Sequence, residues 1–100
     1  MKITAVTYDQ VIVVDGVPAF MAEIGGFEMT NGEWAVHFND AIGIGEIEYT
    51  DARSNATLSP EGFQASYAWL ITEHQRYLDH VEQQNVANGG SGDTGGGDDV

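Results

Sequence analysis

The spacing of apolar residues changes at Ser59 from alternation to a helical repeat, and this change limits the fold more than any other feature of the chain. Ser59 can act as an N-cap, and Pro60 suits the first position of a helix. Apolar or aromatic side chains then recur at helical spacing: Phe63, Tyr67, Leu70, Ile71, His74, Leu78 and Val81. This stripe predicts one amphipathic helix from Pro60 to about Gln84, packed on one face of a sheet.

Short β-branched and aromatic runs before Ser59 predict the strands of that sheet. The run Val11–Val14 is followed by Asp15-Gly16, a strong signal for a two-residue hairpin turn. The return strand should cover 17–21, where Pro18 lacks an N–H group and indicates an edge strand or a strand start.

Asn31-Gly32 is a second candidate for a two-residue turn, between predicted strands at 27–30 and 34–38. Trp34, Val36 and Phe38 would share one face of the second strand and point into the core. With the strand at 44–49, the pattern predicts an α+β fold, an antiparallel β-meander of five or six strands with one long C-terminal helix packed on it. Residues 1–85 form the predicted single domain, and residues 86–100 a flexible Gly/Asp-rich acidic tail.

The charge of the chain restricts its partners. Sixteen Asp and Glu residues oppose only Lys2, Arg53 and Arg76, which gives a formal net charge of −13. Three cations cannot form a phosphate-binding surface, so nucleic acid and anionic membrane are not expected partners. A basic protein surface, mimicry of DNA charge, or acidity that serves only solubility remain open.

No pattern predicts an enzyme, a cofactor or a metal site. The chain has no cysteine, and His37, His74 and His80 lack the spacing of metal ligands. His74 falls in the apolar stripe, where a hydrogen-bonded core or rim histidine is expected. Glu46 and Glu48 lie two residues apart on one strand and predict a solvated sheet face. No apolar run of about 20 residues predicts a membrane span, and the N-terminus lacks a signal-peptide pattern.

Four residues are predicted to contact a partner: Trp69, Arg53, Trp34 and Glu73. Trp69 projects roughly opposite the helical stripe, so its indole needs cover from a partner or from a second layer of the same domain. Arg53 is one of only two arginines, and it either pairs with a local carboxylate or marks a contact surface.

The stretch from Trp34 to Trp69 carries a resemblance to a known group of proteins. It contains Trp34-Ala35-Val36-x-Phe38, then Gly45-x-Ile47-Glu48-Tyr49-x-Asp51, then Arg53-x-Asn55, and a helix with Trp69. This series resembles small proteins encoded beside the tail-fibre genes of tailed bacteriophages. The turn at 41–45 is longer than in that pattern, and Ala52 and Ser54 replace the expected turn residues.

The resemblance implies a non-enzymatic role in tail or tail-fibre structure or assembly, as a virion component or a chaperone. The implied partner is a phage structural protein or a further copy of the chain, in the host cytoplasm during assembly or in the virion tail. The alternative from the charge is an acidic anti-defence inhibitor that mimics DNA and binds a host nuclease or CRISPR complex.

Overall fold

A computed structural model describes residues 1–88 of the protein. One antiparallel sheet contains six strands: β1 (Lys2–Val6), β2 (Val11–Val14), β3 (Val17–Phe20), β4 (Glu33–Asn39), β5 (Ile44–Tyr49) and β6 (Ala56–Leu58). Their order across the sheet is β3-β2-β1-β4-β5-β6. Two three-stranded meanders therefore join at the β1–β4 pair, and the predicted α+β class is confirmed.

The β2–β3 hairpin follows its sequence signal closely. Asp15 and Gly16 both have positive φ, 50° and 82°, which is the conformation of a type I′ turn. The Asp15 carboxylate also accepts the Lys2 backbone N–H at 2.8 Å. Pro18 lies on β3 at the edge of the sheet, as predicted, because an edge strand tolerates the loss of one N–H donor.

The predicted strand at 27–30 is wrong. A 3-10 helix (Met21–Ile24) follows β3, and residues 25–32 then cross to β4 as an irregular segment. Gly25 and Gly26 have φ of 101° and 79°, so the chain turns away from an extended path before Phe27. The sixth strand is instead β6, which no prediction included.

The predicted long C-terminal helix is confirmed as α2 (Trp69–Asn88), but its predicted start at Pro60 is wrong, because a separate short helix, α1 (Pro60–Ser66), precedes it. Ser59 caps α1 as predicted, since its Oγ accepts the Gly62 N–H at 3.0 Å. At the break, the Ser66 carbonyl accepts the Trp69 indole N–H, and the Leu70 N–H donates to Tyr67. Neither glycine nor proline lies at this break, so the local sequence does not predict it.

The two helices cover one face of the sheet and close the core. Phe63 of α1 stacks on Phe38 of β4 with 4.7 Å between ring centroids, while α2 contacts β2, β3 and the 3-10 helix. The buried side chains between the layers include Ile3, Ala5, Ile12, Val36, Ile47, Leu58 and Leu70. α1 thus packs against the central strand β4, whereas α2 packs against β2, β3 and the 3-10 helix.

α2 extends to Asn88, beyond the predicted helix end and three residues into the predicted tail. The remainder of that tail, 89–100, lies outside the described residues. Among the described helices, none combines the length and apolarity needed to cross a membrane.

Candidate functional site

The side chain of Gln10 holds the irregular segment 25–32 at Phe27. Its Nε2 donates to the carbonyls of Thr7 (2.8 Å) and Phe27 (3.0 Å), and its Oε1 accepts the Phe27 N–H at 2.7 Å. The amide of Gln10 thus gives the Phe27 backbone the donor and acceptor that a neighbouring strand would supply. The segment adopts its path through a contact 17 residues distant in sequence rather than through its own propensity.

Trp69, the first residue of α2, lies beside this segment. Its indole ring is 6.3 Å from the ring of Phe27, at an interplanar angle of 59°. The indole N–H donates to the Ser66 carbonyl at 2.9 Å, which fixes the orientation of the ring. The residue remains 37% exposed. Phe27 of the same domain therefore covers part of the indole, and the contact of Trp69 with a partner stays a prediction.

Trp34 does not share the face of Val36 and Phe38, so its predicted core position is wrong. The β4–β5 register shifts between Glu33 and Ala35, a β-bulge that interrupts the alternation of side chains. Trp34 instead stacks on Tyr8, with 5.6 Å between centroids and 14° between planes. Tyr8 is 70% exposed, so this aromatic pair lies at the surface.

Arg53 pairs with a local carboxylate, as one of its two interpretations predicted. Its Nε lies 2.9 Å from both oxygens of Asp51, and its Nη2 donates to the Asn31 carbonyl at 2.7 Å. The guanidinium also covers the Tyr49 ring, 4.0 Å from the centroid. Hydrogen bonds from Arg53 lower the pKa of Asp51, and the bond to Asp51 raises the pKa of Arg53.

Glu73 acts on the same region indirectly. Its Oε1 lies 2.7 Å from Nη2 of Arg76, and Nη1 of Arg76 donates to the Ile24 carbonyl at the start of the irregular segment. The bond to Glu73 raises the pKa of Arg76. Glu73 therefore orients a link between α2 and the 3-10 helix, and it is only 25% exposed.

Sequence reasoning missed the buried carboxylate of Glu33, which is 7% exposed. Its Oε2 accepts the Tyr67 hydroxyl at 2.6 Å, and its Oε1 accepts the Asn31 N–H at 2.8 Å. Burial and this hydrogen bond raise the pKa of Tyr67 well above its ordinary value of 10.0. The only sequence signal is a glutamate placed directly before an aromatic strand, which does not distinguish a buried carboxylate from a solvated one.

A concavity of about 350 Å³ lies between these residues. Tyr8, Phe27 and Met29 provide its apolar surface, and Glu28 and Glu33 provide its charge. We call this feature the aromatic groove. None of the four predicted contact residues lines the groove. Trp69 packs on Phe27 and Trp34 stacks on Tyr8, both of which line it, whereas Arg53 binds Asn31 and Glu73 holds Arg76 against Ile24 outside the lining.

The face of the sheet that the helices do not cover carries a second depression of about 480 Å³. There the Nε2 of His37 lies 2.7 Å from Glu48, its Nδ1 lies 3.4 Å from Thr4 Oγ1, and Glu46 accepts a hydrogen bond from Asn55. Glu46 and Glu48 share this face, as predicted. Within residues 1–88, no three acidic or histidine side chains form a group that could hold a metal ion.

His74 fulfils its prediction as a core histidine with a hydrogen-bond partner. It is 6% exposed, and its Nε2 lies 2.7 Å from the Val17 carbonyl. The imidazole thus links α2 to the edge strand β3.

Comparison of the chain with protein-family models, with curated proteins and with solved structures found no match.

Proposed function

We propose that the protein acts by binding another protein in the structure or assembly of a bacteriophage tail or tail fibre, as a virion component or as a chaperone. The resemblance of Trp34 to Trp69 to small tail-fibre-linked proteins supports the phage assignment. The observation that carries the binding role is the contact of Trp69 and Arg53 with the segment 25–32, together with the stacking of Trp34 on Tyr8, which lines the same groove as Phe27.

The aromatic residues of this surface have the properties of interface anchors. Trp69 and Trp34 are both held by a ring partner, and Trp69 also by its indole hydrogen bond, so little side-chain entropy remains to be lost on binding. Tryptophan and tyrosine that keep exposed surface in such fixed positions are typical of interface hot spots. We therefore assign Trp69 as the principal anchor.

The charge supports a partner with a basic surface. Both arginines are paired with carboxylates of the same chain, Asp51 and Glu73, so their charges are not free to meet acidic groups of a partner. The proposed location is the host cytoplasm during assembly or the virion tail, and no cofactor is required for this role.

Size-exclusion chromatography with light scattering tests the proposal, using the protein alone and mixed with purified tail and tail-fibre proteins of the phage that encodes it. We expect a complex, and we expect Trp69→Ala to weaken it by at least about tenfold, as for a hot-spot residue. Ile42→Ala is the matched control, because Ile42 is 69% exposed in the loop at the other end of β4. Absence of any complex, or equal losses in both variants, contradicts the proposal.

The acidic inhibitor is the second candidate, and the uncompensated charge of −13 favours it. Such an inhibitor would bind the DNA-binding surface of a nuclease or a CRISPR complex mainly through charge. Its affinity would fall steeply with salt, whereas a complex anchored by Trp69 would change less. Titrations at two ionic strengths with each class of partner separate the two candidates.

A further inference from the structure

We propose that the aromatic groove binds an arginine side chain from a basic segment of the partner protein. This inference rests on the proposed protein-binding function and names the chemistry that the surface recognises. Tyr8, which is 70% exposed, lines the groove, and Glu28 supplies an exposed carboxylate beside it. A planar guanidinium can stack on the ring and donate hydrogen bonds to a carboxylate at the same time.

The molecule already contains one arrangement of this kind. The guanidinium of Arg53 lies 4.0 Å from the centroid of the Tyr49 ring and is bound through its Nε to both oxygens of Asp51. The groove offers the same two components, an aromatic ring and a carboxylate, without a lysine or arginine among its lining residues. Arg53 lies beside Gly32 at the groove's edge, but Asp51 balances its charge.

Charge excludes the occupants that this chain could supply. The C-terminal residues 89–100 contain Asp93, Asp98 and Asp99 but no lysine or arginine, so they would bring like charge to Glu28 and Glu33. A second copy would bring a net charge of −13, with both of its arginines paired internally. Nucleic acid and anionic lipid would be repelled for the same reason. The complementary occupant is a basic segment of another protein.

Titration of the full-length, ¹⁵N-labelled protein with acetyl-arginine amide tests this inference. The neutral isostere acetyl-citrulline amide is the matched control ligand. We expect saturable shifts of the Tyr8, Phe27 and Gly32 amide signals with a Kd on the order of millimolar, and little change with citrulline. Dispersed spectra of each variant establish that it is folded.

Three variants locate the site. Tyr8→Ala should weaken arginine binding by about fivefold, the effect of one cation–π contact, and Glu28→Gln should weaken it by a similar factor. Glu82→Gln makes the same charge change 13 residues along α2 from Trp69, about 20 Å away, and should leave binding unchanged.

Shifts spread over many acidic residues, equal shifts with citrulline, or equal losses in Glu82→Gln and Glu28→Gln would overturn the inference. So would arginine binding that is unaltered in both groove variants. The proposed function can survive that result, because the loss of the protein complex in Trp69→Ala is measured separately. Conversely, if arginine binds in the groove but no phage protein forms a complex, the proposed phage role is contradicted and the arginine-binding inference is supported.

Discussion

The β2–β3 hairpin and the segment 25–32 both contain glycines with positive φ, but they obtain their structures in different ways. The hairpin is encoded by Asp15-Gly16 between two runs of strand residues, and Lys2 of β1 adds hydrogen bonds to Asp15. The segment looked like another hairpin arm in the sequence, yet Gln10 holds it in an irregular path. Local signals thus decide the regular end of the sheet, whereas long-range contacts decide the end that carries the aromatic groove.

Removal of the Gln10 side chain should destabilise the segment 25–32 and leave the hairpin intact, and it has the largest expected effect. Gln10→Ala deletes three hydrogen bonds, to Thr7 and Phe27, and leaves the Phe27 N–H without its partner. We expect the free energy of unfolding to fall by about 3 kcal/mol, measured by urea denaturation. Hydrogen exchange should show lost protection at Phe27 and retained protection in the hairpin.

Gln75→Ala is the control for that variant. Gln75 lies on the exposed face of α2 and donates only to Asp79, so its removal should change stability by less than about 0.5 kcal/mol. Equal effects of the two substitutions would show that the segment does not depend on Gln10.

Tyr67→Phe tests the second long-range contact, which joins the helices to Glu33. Loss of the hydroxyl leaves a buried carboxylate with one donor fewer, and we expect a cost of about 2 kcal/mol at pH 7. The pKa of Tyr67 is raised in the folded protein, so this stabilisation is fully present below the unfolded pKa of about 10 and is lost as pH rises above it.

The unfolding free energies of the wild type and Tyr67→Phe should therefore converge in urea titrations between pH 10 and pH 11. Part of the alkaline decline should remain in the variant, because burial and Glu23 also raise the pKa of Tyr77. A difference between the proteins that stays constant across this pH range would count against the Glu33 bond as its source.

Two glycine substitutions compare the hairpin turn directly with the segment 25–32, and their expected effects on stability are the smallest. Gly16 and Gly26 have nearly the same φ, 82° and 79°, but an added Cβ at Gly16 meets nothing within 4 Å. At Gly26 it would lie 2.6 Å from Oε1 of Gln10 and displace the amide that binds Phe27. We expect Gly16→Ala to cost about 1 kcal/mol from backbone strain and Gly26→Ala about 1 kcal/mol more.

The extra cost at Gly26 should disappear when Gln10→Ala is already present, as a double-mutant cycle by urea denaturation would show. If Gly26→Ala still costs more than Gly16→Ala in the Gln10→Ala variant, the extra cost arises from the backbone of the segment and not from Gln10.

The distinction between local signals and long-range contacts also explains which parts of the site could be predicted from the sequence. Arg53 and Asp51 are two residues apart, so their pairing could be predicted, and Trp69 could be placed away from the helical stripe by counting residues. The stacking of Tyr8 on Trp34 depends on a β-bulge that no local pattern marks. Glu33 was missed because its burial depends on Tyr67, 34 residues later in the chain.

The sequence by itself determined the fold class, the type I′ hairpin, the edge position of Pro18, the cap at Ser59 and the acidity of the chain. Each of these depends on neighbouring residues or on composition. Only the tertiary structure decided the helix break after Ser66, the β-bulge at Trp34, the path of the segment 25–32 and the burial of Glu33. These features depend on hydrogen bonds and packing between residues far apart in the chain, and such energies are not encoded in any short stretch of sequence.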